Sequence, residues 1–340
     1  MLGTDEPSIP MGGETLIPTD SQLLRVASGV HAYVQDDGTW WLNNAAVVHD
    51  EDETLLFDTC ATAARTDLLL DAVAMVGAVP PTIIACSHPH SDHTHGLSRV
   101  STASAIIAHH RARAEVVGRG IVRNPAGFSP LDPGLLKVRA PNLLIEDRLT
   151  VCVGSIRVEL IAIPSPAHSN GDLIGWLPDE GVLLAGDLAF SGVTPLLMSG
   201  SVRGTIRALE EILIPLEADV IVPGHGPVAG SNVLQATLRY CRLVEQIADD
   251  ARRMGRTPLV AAQHAHLGEF SGWLDSERIV ANVHRALAER DGVTPGARID
   301  FARAMSDMAM LAGMDSLRTL AGAPCVLSSV VEELNCQQLC

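Results

Sequence analysis

The sequence predicts an α/β fold of the αββα sandwich type: two facing sheets, helices on their outer faces, and a helical extension after them. Three observations lead there. Short apolar runs separated by turn residues recur through 22–58 and again through 149–185, the pattern of strands in a meander. The two halves share an order of strands, helix, strands, helix, which suits sheet packed on sheet with helices outside. Several apolar runs end in polar loops that carry histidine or aspartate.

Element by element, residues 1–20 are polar and rich in Pro and Gly, and read as a flexible arm. Strands are expected at Leu23–Val26, Val30–Val34, Ala45–Val48 and Thr54–Phe57, and a helix over 61–77. A buried strand, Thr82-Ile83-Ile84-Ala85-Cys86, precedes a histidine-rich loop; helix, short strand and helix follow to about 120. Asn124–Gly134 reads as a loop. Strands resume at Leu149–Val153, Ile156–Ile161, Leu173–Trp176 and Val182–Ala185, then a helix near Val202–Leu213 and a strand at Asp219–Val222. Residues 231–255, 257–267 and 275–289 read as helices. At 340 residues the chain suits one large domain or two small ones. We divide it into the arm, an αββα domain over 21–230, C-terminal helices over 231–320 that pack on that domain and line its cleft, and a small, polar tail over 321–340.

Composition narrows the function. An apolar fraction of 47% supports a substantial core, while aromatics make up only 3%. A net charge of −16 argues against a nucleic-acid enzyme, which needs a basic surface. Seven scattered cysteines, an odd number with no CxxC pair, read as reduced thiols in a cytoplasmic protein. The N-terminus lacks the basic start and apolar core of a signal peptide. No apolar run reaches the roughly 18 residues of a membrane span.

The chemistry concentrates in Ser87-His88-Pro89-His90-Ser91-Asp92-His93-Thr94-His95-Gly96. His88, His90, Asp92 and His93 fall within six positions. A helix cannot aim all four at one point, so the run reads as a loop leaving a strand. Imidazole and carboxylate suit zinc and iron. Three more donors follow in similar settings: His168 past Ile161-Ala162-Ile163, Asp187 past Val182-Leu183-Leu184-Ala185, and His225 past Val220-Ile221-Val222. Five histidines and two aspartates suffice for two metals. The expected arrangement gives one ion His88, His90 and His168, and the other Asp92, His93 and His225. Asp187 bridges them, and a bridging water, deprotonated near neutral pH, is the nucleophile beside Asp92 and Asp187. Asp58 reads either as a turn cap or as a carboxylate orienting the donor loop. His95 reads as a supporting residue behind the donors or as an exposed helix cap. His31, His49, His109, His110, His264, His266 and His284 read as structural or solvated.

The motifs SHPHSDHTHG, PAHSNGD, LLAGD and VPGHGP, in that order across roughly 45–230, resemble the metallo-β-lactamase superfamily. Asp187 stands where one major class of zinc β-lactamases carries cysteine, which points to the hydrolase, thioesterase and lactonase branches. His90 stands where the flavo-diiron branch carries a carboxylate, which favours two Zn2+ over iron. A closer resemblance runs over about 25–290, through Trp41–Ala45, Glu146–Thr150, Phe190–Pro195, Gly200–Val202, Leu267–Phe270 and Leu274–Arg285. These stretches are similar to actinobacterial aromatic polyketide cyclase-thioesterases, the actinorhodin-type ring cyclases, and to related hydrolases of that fold.

That resemblance implies a poly-β-ketone thioester on an acyl carrier protein. Zinc would polarise a ketone for aldol closure, and the metal-bound hydroxide would then release the product; a lactone, ester or β-lactam hydrolase would use only the second half. A scaffold without turnover is disfavoured by the complete donor set. Between Arg99 and Arg139 seven basic residues face only Glu115 and Asp132. Arg111, Arg113 and Arg119 there read either as a carrier-docking patch or as solvated helix charges. Trp40, Trp41, Phe190, Met198, Phe270 and Trp273 are the expected cleft walls.

Overall fold

A computed structural model describes residues 19–35 and 37–331. The expected arm lies outside these up to residue 18, and Thr19 already opens a strand. β1 (Thr19–Ala27), β2 (Val30–Gln35), β3 (Ala45–Asp50) and β4 (Glu53–Phe57) form an antiparallel meander. Helix α1 (Ala63–Met75), capped by the Thr62 hydroxyl, crosses to β5 (Ile83–Ala85), which runs parallel to β4. After α2 (Ser91–Thr94), the strand β6 (Ala105–His109), helix α3 (Ala112–Arg119) and short edge strand β7 (Leu143–Ile145) complete this side. The second sheet is β8 (Arg148–Val153), β9 (Ile156–Ala162), β10 (Leu173–Leu177) and β11 (Val182–Phe190), antiparallel in turn. Through α4 (Val202–Ala208) the chain reaches β12 (Val220–His225), parallel to β11.

Strand periodicity explains the layers. Successive side chains point to opposite faces, and here both faces are apolar. Leu24, Ala46, Val48, Leu55 and Phe57 meet Val158, Leu160, Leu184 and Val222 between the sheets. Their neighbours Leu23, Val47 and Leu56 pack outward against Leu69 and Val73 of α1. Leu183 and Ala185 pack outward on the other side, against Leu209, Leu234 and Leu238. A fourth core joins α5 (Asn232–Met254), α6 (Pro258–Gln263), α7 (Arg278–Arg290) and α8 (Phe301–Ala312) to Trp40, Leu197 and Met198. The helices thus share their core with the loops of the cleft.

The structure departs from the sequence reading in four places. Asp187 and His225 lie within β11 and at the end of β12 rather than past them, because the β11–β12 ladder shifts register around Gly186 and continues. Half of the histidine run is a helical turn, α2, followed by a 3₁₀ turn at His95–Ser98. Helix α8, capped by the Asp300 side chain, was not anticipated. The tail is tied down: β13 (Cys325–Val331) pairs parallel with β1, and buried Arg65 donates to the carbonyls of Leu320 and Ala321. Exposure alternates along this strand, and its half-buried Leu327 packs on the outer core. Cys336 and Cys340 lie outside the described residues. Among the described residues no helix is long and apolar enough to cross a membrane.

Candidate metal centre

Four chain segments deliver the donors to one edge of the sandwich. The loop after β5 carries His88 and His90, and α2 turns Asp92 and His93 back toward them; the amides of His93 and Thr94 donate to the His90 carbonyl at 3.2 and 3.1 Å. A helical turn and an extended stretch together do what neither does alone. His168 arrives on the loop after β9. Asp187 and His225 come from the neighbouring strands β11 and β12. Position 224 admits only glycine, since a Cβ there would collide with the Asp187 carboxylate.

These seven residues form two groups: His88, His90, His168 and Asp187 in one, Asp92, His93 and His225 in the other. In the first, His90 Nδ1 lies 2.9 Å from both His88 Nε2 and His168 Nε2. Asp187 Oδ2 lies 3.2 Å from His168 Nε2 and 3.8 Å from His88 Nε2. In the second, Asp92 Oδ2 lies 3.3 Å from His225 Nε2 and 3.8 Å from His93 Nε2. Asp187 reaches this group as well, with Oδ1 3.2 Å from His93 Nε2.

The donor set fits a divalent transition ion. Burial holds the His88, His90 and His168 rings below the ordinary imidazole range, so they stand as neutral lone-pair donors. At His93 burial acts the same way, but Asp187, Asp58 and Asp92 outweigh it and hold its pKa well above the ordinary value. Burial favours the neutral acid at Asp187 and Asp92; the surrounding imidazoles reverse this and keep both carboxyls well below their usual range. His93 Nε2 and Asp187 Oδ1 are buried without a hydrogen-bond partner. Such orphaned polar atoms carry a desolvation cost that a cation between them, taking the place of a ring proton, would offset.

The donors are held from behind. Asp58 lies at φ 65, and its carboxylate lies 2.8 Å from His93 Nδ1 while accepting the Ser87 amide at 2.7 Å. Of its two expected roles, these contacts suit the orienting carboxylate. Ser87 Oγ lies 2.9 Å from His88 Nδ1, and the Gly38 carbonyl 2.9 Å from His225 Nδ1. His95 acts elsewhere: its Nδ1 lies 3.2 Å from the Ala61 carbonyl, and its Nε2 accepts from the Val122 amide at 3.2 Å.

Above the donors opens a cavity of about 210 Å³. Trp40, Trp41, Phe190 and Met198 line it as expected from the sequence, together with Phe128 and Phe301. The chain has 11 aromatic residues of the Phe, Trp and Tyr types, so five of them gather here. Phe128 meets Trp40 and Trp41 edge to face at 4.9 and 6.0 Å, and Phe190 stacks on the His225 ring at 5.3 Å. Phe270 and Trp273 do not line this cavity. They pack with Tyr240 in the helical core, at 5.5 Å each and 4.7 Å from one another, where α5 and the 3₁₀ turn at Gly268–Phe270 meet. Sequence reasoning missed Phe128, inside a Pro/Gly-rich loop, and Phe301 and Met305, one helical turn apart on α8. It also missed Arg278, buried with its guanidinium 4.1 Å over Trp40, donating to the Thr194 carbonyl and paired with Asp275. Burial pushes the Asp275 carboxyl up to about 6.

The three arginines of the basic stretch have different settings. Arg111 donates to the carbonyls of Ile163 and Pro164, and Arg113 to that of Pro141. Arg119 pairs with Glu115 and reaches the cavity wall.

A family model of the metallo-β-lactamase superfamily matches residues 38–225. The α subunit of 2,4-dinitroanisole O-demethylase from Nocardioides sp. (strain JS1661) is 31% identical over 182 residues, 52% of this chain and 50% of that protein. The chain therefore spans about half the length of this relative. The hydroxyacylglutathione hydrolase of Anaeromyxobacter dehalogenans (strain 2CP-C) is 26% identical over 253 residues, 70% of this chain and 86% of that one. Among solved structures, the metallo-β-lactamase FIM-1 from Pseudomonas aeruginosa, in its mono-zinc form, superimposes with a TM-score of 0.53 at 20% identity, covering 67% of this chain and 96% of that one. A metallo-β-lactamase from Pontibacter korlensis gives 0.52 at 17%, covering 65% and 99%.

Proposed function

The chain belongs to the metallo-β-lactamase superfamily, and from that premise we propose that it is a dizinc hydrolase acting on an ester or thioester carbonyl. In the finer reading it is a cyclase-thioesterase that closes a ring on a polyketide chain and releases it from an acyl carrier protein. The observation that carries the proposal is Asp187, shared by two donor groups on the floor of a largely apolar cavity. Zinc held there would supply Lewis-acid polarisation of a carbonyl and acidified water.

The chain's own residues supply the rest. His88, His90 and His168 would hold one ion, and Asp92, His93 and His225 the other. Asp187 keeps the two groups at a fixed separation. Trp40, Trp41 and Phe128 give a planar, water-excluding wall against which an apolar acyl chain can lie. Arg119, at the wall, is the member of the basic stretch best placed to meet an acidic donor such as a carrier protein. A second reading, a lactone, ester or β-lactam hydrolase, draws on the hydrolase relative that aligns with 70% of the chain.

The test is mass spectrometry of products from carrier-bound polyketide, simple thioesters and lactones offered in parallel. Release of cyclised product from the carrier is expected. Hydrolysis of lactones with no action on either thioester would overturn the first reading in favour of the second.

A further inference from the structure

His168 differs from the other donors that bind through Nε2. His88, His93 and His225 each have a hydroxyl, carboxylate or carbonyl behind Nδ1. His168 Nδ1 is buried with no partner. No hydrogen bond at Nδ1 fixes the ring from behind, so on that side its direction must come from the loop that carries it.

That loop, residues 163–171, is gripped at its start by the other half of the sandwich. His109 closes β6 and is fully buried. Its Nδ1 accepts the Arg111 amide at 3.1 Å, which leaves the proton of the neutral ring on Nε2, 3.2 Å from the Ile163 carbonyl. Arg111 Nη2 donates to the same carbonyl at 3.3 Å and to the Pro164 carbonyl at 2.9 Å. Further along, the Ser201 amide donates to the Ala167 carbonyl at 2.7 Å. At its end the loop backs onto the same segment: a Cβ at Gly171 would lie 2.9 Å from the Ala112 amide nitrogen. Proline at 164 and 166 has no amide to offer, so here the carbonyls carry the attachment.

We infer that Arg111, seated on His109, is a positioning residue for the metal donor His168, holding the loop in place of the hydrogen bond that the ring's Nδ1 lacks. The inference rests on the proposed metal centre. It gives Arg111 an inward task, in contrast to the outward one a docking patch would require. A guanidinium suits the task, because its planar fork meets two carbonyls while staying charged.

The experiment is metal loading of the full chain, by chelator competition with Zn2+ and by the visible spectrum of the Co2+ form. Arg111→Met should weaken one ion about 10–100-fold, the cost typical of losing an outer partner of a donor, and leave the other ion unchanged. Arg111→Lys, which can still reach one carbonyl, should recover part of the loss. Arg113→Met, two residues on in α3 but bonded to Pro141, should leave both ions unchanged. Should Arg111→Met not fold, Arg111→Gln gives the same reading. Wild-type loading with an unaltered first ion in the folded Arg111 variant overturns this inference alone, as does an equal loss in Arg113→Met. A wild-type chain that takes up no zinc overturns it together with the proposed function.

Discussion

The two donor groups are built from the same chemistry and held by different means. In the second, a carboxylate stands behind His93 and a backbone carbonyl behind His225. Each fixes a ring proton on Nδ1, turns Nε2 toward the other members of its group, and in the carboxylate's case raises the basicity of the ring. In the first, His88 has only the Ser87 hydroxyl, and His168 has a loop pinned from a distance. Both imidazoles of the second group are held at Nδ1, whereas the first group leaves His168 to its loop. Asp187 belongs to both.

This contrast orders the expected effects. Asp187→Asn should be the most damaging change, because it alone reaches both groups. Zinc content should fall from two per chain to one or none, with a loss of activity exceeding the roughly 10–100-fold of an outer partner; two tightly held ions in this variant would remove Asp187 from the centre. Next, Asp58→Ala should cost about 10–100-fold in affinity for one ion only, with Asp58→Asn intermediate, since it keeps the shape but not the charge. The Co2+ spectrum should change for a single site. A loss spread equally over both ions would break the distinction drawn here.

Acid should act on the first group through its loop. Burial, aided by the nearby Arg111, pushes the His109 pKa down to about 4 from an ordinary 6.5. The folded ring is neutral where the unfolded one is charged, so its contribution to stability is complete above 6.5 and is lost as pH falls toward 4. Protonation also places a proton on Nδ1, which now accepts the Arg111 amide. Melting temperature should therefore drop between pH 7 and pH 5, and His109→Gln should flatten that slope. An unchanged slope would show that His109 does not titrate with folding.

The second group was easier to read from sequence than the first group's support. Residue type and apolar runs that point to one edge are local features, so the seven residues that the structure gathers were visible at 88–93, 168, 187 and 225. Asp58 was visible too, as an acid closing a strand. The His109–Arg111 grip was not, because a histidine bonded to a carbonyl 54 residues away leaves no local pattern and looks like any buried ring. The cavity wall divided in the same way. Trp40 and Trp41 announced themselves by rarity, whereas Phe270 and Trp273 were equally rare and turned out to be core. Which face of a short 3₁₀ turn is buried depends on how α5 and α7 cross, a tertiary fact. The α8 wall residues were hidden because Phe301 and Met305 are ordinary members of an amphipathic helix until its partner is known.

The smallest expected effect is also the sharpest test of the contrast. Ser87→Ala removes a hydroxyl from behind His88 and leaves the Cβ that packs against Gly186. A neutral hydrogen bond contributes about 1 kcal/mol, so affinity for one ion should fall only several-fold. That is well short of the loss at Asp58, whose charge acts on His93. Ser87 Oγ also stands 3.5 Å from His93 Nδ1, too far to replace the 2.8 Å contact of Asp58. The larger loss in each variant should therefore fall on a different ion, and because the Ser87 amide donates to Asp58 the double variant should depart from the sum of the two losses. Chelator competition on the single and double variants decides this. A Ser87→Ala loss as large as that of Asp58→Ala, or one confined to the same ion, would mean that the Ser87 hydroxyl supports His93 rather than His88, and the contrast between the two groups would fail.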